Sequence, residues 1–91
     1  MKLWVIDVQF ADRSPEMEAV VGAVVSESSS TTEVEHVFIE RTSSDAMAIC
    51  CYMSHTEPCA PAADTALLIR RALVAAAPAS GWTITRIREA R

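Results

Sequence analysis

The spacing of apolar residues along this chain spells strand, helix, strand, strand, helix, strand, and no other feature restricts the fold as strongly. Leu3 to Phe10 (L-W-V-I-D-V-Q-F) alternates, with Trp4, Ile6, Val8 and Phe10 on one face and Leu3, Val5, Asp7 and Gln9 on the other. Ala11-Asp12-Arg13 reads as a turn. Ser14-Pro15-Glu16 then reads as a helix start, with a hydroxyl cap, proline at the first helical position and an acid in the first turn. Met17, Val20, Val21 and Val24 draw one stripe on that helix, whose valines and Gly22 make it depend on packing. The hydroxyl-rich stretch Ser26 to Thr32 reads as a loop.

Glu33 to Arg41 is expected to form a second strand and Ala46 to His55 a third, joined by the tight connection Thr42-Ser43-Ser44-Asp45. From Pro61 to Ala77 the alanine and leucine content predicts a helix with Ala66, Ile69, Leu73 and Ala76 on its inner face and Leu67 and Val74 well off it. Pro78 to Gly81 ends it. Trp82 to Arg88 has the charged second half of an edge strand. With right-handed crossovers this order predicts one α+β domain over residues 1–91, the ferredoxin-like βαββαβ plait. Numbered along the chain, its four antiparallel strands run 4-1-3-2 with both helices on one face. The other face, carrying Leu3, Val5, Asp7, Gln9 and His36 of the second strand, then needs water, a ligand or a second subunit.

Composition narrows the function classes. A 91-residue chain buries only roughly 60–65% of the surface it exposes when unfolded, so it needs most of its apolar residues inside. Its hydrophobic fraction of 51%, with 22% charged, is that of a folded chain, and apolar residues beyond the core's needs point to an interface. A net charge of -4 with scattered basic residues argues against a nucleic-acid surface. Asp7 interrupts the apolar N-terminus before a signal peptide could be complete, and no window suits a membrane span, so a cytoplasmic location is expected. The abundant alanine, and arginine in place of lysine, match a high-GC bacterial genome.

All three cysteines fall in M-A-I-C-C-Y-M-S-H-T-E-P-C, residues 47 to 59. On a strand Cys50 and Cys51 point to opposite faces, and Cys51 and His55 are roughly 13 Å apart, while zinc needs every ligand atom within about 2.3 Å. Cys59 lies beyond Pro58, with no further ligands at a recognised spacing. The stretch therefore reads as reduced, buried thiols with no metal. A nucleophilic Cys-His pair is open only if the hairpin register sets His36 opposite Cys51, and other loop lengths set it opposite Tyr52 or Met53. Gly22 and Gly81 are the only glycines, so no phosphate-binding glycine loop can form and no cofactor is expected.

Families with this element order are tested at their motif positions. The first loop holds no M-x-C-x-x-C of heavy-metal chaperones and no glycine-rich, arginine-ended loop of acylphosphatases. The third strand offers one tyrosine where RNA-recognition domains need several aromatics. Asp12-Arg13-Ser14-Pro15 resembles the Asp-Arg-Pro-Gly turn of ACT-type regulatory domains, a likeness over the first third of the chain, with Glu16 in place of the glycine that admits an amino-acid ligand.

The expected function is a non-enzymatic binding, regulatory or accessory module that forms a homodimer through the open sheet face or an edge strand. The alternative is a small cofactor-independent enzyme, cyclase- or monooxygenase-like, with Trp4, Phe10, Met17, Tyr52, Met53 and His55 around a small apolar ligand. A third reading docks a protein partner on Leu67, Arg70 and Val74 of the second helix.

Overall fold

The computed structural model describes residues 2–12, 15–29, 32–56, 60–78 and 81–90. Its elements follow the expected order: β1 Lys2–Phe10, α1 Met17–Ser26, β2 Thr32–Ser43, β3 Ala46–His55, α2 Pro61–Ala76 and β4 Trp82–Glu89. The four strands form one antiparallel sheet ordered β2-β3-β1-β4, the expected order read from its other edge. Parallel neighbours are avoided because each helix carries the chain past one strand before it re-enters the sheet.

Strands β1 and β3 are central because both are apolar enough to be covered along most of their length. Trp4, Ile6, Val8 and Phe10 enter the core with Met47, Ile49, Cys51 and Met53 of β3. The inner residues of both helices join the same cluster: Val20 and Val24 from α1, and Leu68, Ile69, Ala72 and Leu73 from α2. A ten-residue, valine-rich α1 would not hold alone in water. Burying Val20 and Val24 completely contributes roughly 1.5–3 kcal/mol each and offsets that weak propensity. Leu67 and Val74 lie outside, as their spacing predicts.

Three details differ from expectation. Helix α1 starts at Met17, with Glu16 extended at the cap position and no side-chain cap; Arg13 and Ser14 lie outside the described residues. Strand β2 runs on through Thr42 and Ser43, so the turn narrows to Ser44-Asp45, where the Ser43 hydroxyl donates to Asp45 Oδ1 at 2.8 Å. The Phe10 N–H donates to the Asp45 carbonyl at 2.7 Å and ties this turn to the end of β1. The third difference is irregular register: β2 shifts between Val34 and His36 and again between Arg41 and Ser43, and β4 shifts against β1 at Asp7/Val8. Each shift inserts one residue that its partner strand does not match, which bends the strand locally.

Candidate functional site

Three regions hold the candidate residues: the uncovered sheet face, the lower end of the core around His55, and the edge of the sheet along β2. Alternation and register fix which residues meet on the uncovered face. One row runs His36, Tyr52, Leu3; the next Phe38, Cys50, Val5, Arg88; the third Glu40, Ala48, Asp7, Arg86. Leu3, Val5, Asp7, Gln9 and His36 thus all belong to this face. The apolar patch expected there is already covered in the middle. Val5, Ala48 and Cys50 are each only 7% exposed, packed with one another and with Leu3. Alanine and cysteine are short, so larger neighbours close over them.

His36 lies opposite Tyr52, with ring centroids 6.3 Å apart, because the register shift after Val34 moves it one residue away from Cys51. Cys51 points the other way, into the core. Burial pushes its thiol up to about 12, the neighbouring Cys50 adding to the effect. The Cys50 thiol is also raised, first by burial and then by Glu40, with Arg88 acting against them. Both groups are held as protonated thiols, the opposite of an activated nucleophile. Cys59 lies outside the described residues. Among the described residues no three histidine, cysteine or acidic side chains come together as metal ligands, and no helix is long and apolar enough to cross a membrane.

The apolar pocket does not assemble as expected. Tyr52 belongs to the uncovered face, because its place in the alternation is opposite to that of Cys51 and Met53. Trp4 and Phe10 are both core residues, but six positions of extended chain separate them by roughly 20 Å. Met53 is fully buried. His55 is half-buried, and its Nε2 shares a 3.2 Å hydrogen bond with the Thr65 hydroxyl, in a direction set by the imidazole tautomer. Its ring meets the edge of Trp4 at 6.2 Å, and Trp4 Nε1 is buried with no hydrogen-bond partner among the described residues.

The β2 edge was not singled out by the pattern. Met17 and Val21 of α1 and Val37, Phe38 and Ile39 of β2 line a groove of about 480 Å³ beside that edge. Met17 is the one residue of the expected pocket that reaches it; it is 39% exposed, and Phe38 is 43% exposed. The available signal was the run Val37-Phe38-Ile39. Three consecutive apolar residues on a strand cannot all face one side, so one must face away from the helices. A smaller cleft of about 140 Å³ lies between the end of α1 and α2, with Glu27, Asp64 and Arg71 at its wall.

The chain matches no protein-family model, no curated protein and no solved structure at a significant level.

Proposed function

We propose that this protein is a small non-enzymatic binding, regulatory or accessory module that works as a homodimer, on a ferredoxin-like plait. The element order and the sheet order β2-β3-β1-β4 support the plait. The observation that carries the function is apolar surface left outside the core beside an edge strand: Phe38 and Met17, flanking the groove along β2. A chain this small gains by placing such side chains in its own interior, and where it leaves them grouped at the surface an interaction is the economical reading. Sedimentation velocity across a concentration series tests it. A concentration-dependent dimer is expected, and a monomer persisting at tens of micromolar contradicts it.

A second reading, a small cofactor-independent enzyme, draws on one observation: beside His55 lies the buried Trp4 Nε1, which has no hydrogen-bond partner among the described residues. A buried donor of that kind is a place where a polar ligand atom would gain. Retention of a bound organic mass in native mass spectrometry, lost on His55→Ala, would favour it.

A further inference from the structure

We infer that two copies of this chain join by antiparallel pairing of β2 with β2, on a two-fold axis through Phe38, into one continuous eight-stranded sheet. This inference rests on the self-association reading and says where and in what register it happens.

Strand β2 is the outer strand beside α1, so one side of its backbone has no neighbour in the sheet. The register shifts near Glu35 and Thr42 bound a regular stretch, residues 36 to 41, whose sequence is H-V-F-I-E-R. Antiparallel pairing about Phe38 sets Phe38 opposite Phe38 of the second copy, Val37 opposite Ile39, and His36 opposite Glu40. Opposed residues of an antiparallel pair share a face. His36 and Glu40 both belong to the uncovered face, opposite Tyr52 and Ala48, while Val37 and Ile39 both belong to the helix face. The segment is therefore complementary to itself: apolar meets apolar, and imidazole meets carboxylate twice by symmetry. Moving the axis to Val37 or Ile39 sets Phe38 against His36 or Glu40 and loses both matches.

The rest of the surface agrees. On the helix side, Val37 and Ile39 of the second copy would extend the apolar wall of the groove that Met17 and Val21 line. The uncovered face offers less, since Val5, Ala48 and Cys50 are already covered. A β4 to β4 pairing would gather Arg86 and Arg88 of both copies on one polar edge. A two-fold contact uses up both β2 edges and closes on itself, whereas β2 against β4 would leave one β2 and one β4 edge free to repeat the same contact and propagate.

The test is sedimentation velocity of the full chain with His36→Glu alone and together with Glu40→Lys, plus disulfide trapping of Phe38→Cys under mild oxidation in a Cys50→Ala background, because Cys50 lies directly opposite position 38 in the same chain. His36, Phe38 and Glu40 are exposed, so the fold should tolerate the changes there. Two symmetric carboxylate clashes in His36→Glu should weaken the dimer about tenfold, and Glu40→Lys should restore it. Across the axis the Cα atoms of Phe38 would sit about 4.5–5.5 Å apart, within disulfide reach, so Phe38→Cys with Cys50→Ala should yield a covalent dimer that Cys50→Ala alone does not. A wild-type dimer that ignores His36→Glu and gives no trapping at position 38 overturns the edge geometry while leaving self-association standing. Open-ended polymers overturn the two-fold contact, and a wild-type monomer overturns self-association itself.

Discussion

Replacing Trp4 with phenylalanine sets two effects of opposite sign against each other. The indole is 6% exposed and its Nε1 has no hydrogen-bond partner among the described residues. Phenylalanine is smaller by about 40 Å³, and a residual cavity of that size at about 24 cal/mol per Å³ costs about 1 kcal/mol. The same change deletes a buried donor that has lost its water, a penalty of about 1–3 kcal/mol in the parent protein. The structure therefore predicts that Trp4→Phe leaves stability unchanged or raises it by up to about 2 kcal/mol. Ordinary large-to-small changes in a core only destabilise. Urea unfolding followed by circular dichroism, with Trp82 fluorescence as a second probe, measures the difference. A loss above about 1 kcal/mol would refute the reasoning, because it would mean that the indole N–H is satisfied by a water or ligand in the folded protein.

Other outcomes follow from single features. Leu73→Ala should cost about 2–5 kcal/mol in the same assay while Val74→Ala stays within about 0.5, since one is fully buried and its neighbour points outward. Gly22→Ala should stabilise α1 by about 1 kcal/mol, because a Cβ there meets nothing within 4 Å. Stability should fall as pH rises from 9.0 towards about 12, because the folded chain keeps the Cys51 proton over that window and the unfolded chain releases it. Below 9.0 the contribution is fully present. Urea midpoints at about pH 8 and pH 10.5 should differ less in Cys51→Ala than in the wild type.

What could be read from the residues, and what could not, divides along physical lines. Strand β1 and the start of α2 at Pro61 were legible because alternation in the one, and proline with alanine-rich periodicity in the other, agree with the element formed. The far end of β2 was not: Thr42 and Ser43 extend an edge hairpin whose side chains face water, and polar edge residues look like loop. Register shifts leave almost no side-chain signature, since an extra residue in a strand is a backbone event. They decided the partner of His36, which alternation alone had left among Cys51, Tyr52 and Met53.

The candidate site was less legible than the fold. Choosing pocket residues by chemistry placed Tyr52 beside Met53, although adjacent strand residues face opposite ways. The covering of Val5 on the open face depends on the small size of Ala48 and Cys50 across the strand, a pairing that only the register reveals. The exposed Phe38 was within reach of sequence reasoning. Its run with Val37 and Ile39 signals strand propensity and also requires an apolar residue on the outer face.

Amide hydrogen exchange at low and high protein concentration tests the central claim most directly, because pairing of β2 edges must protect backbone groups that the isolated sheet leaves open to water. Protection should rise with concentration in peptides spanning residues 36 to 40 and stay unchanged in β4. Protection that rises in β4 instead, or nowhere, would contradict the account.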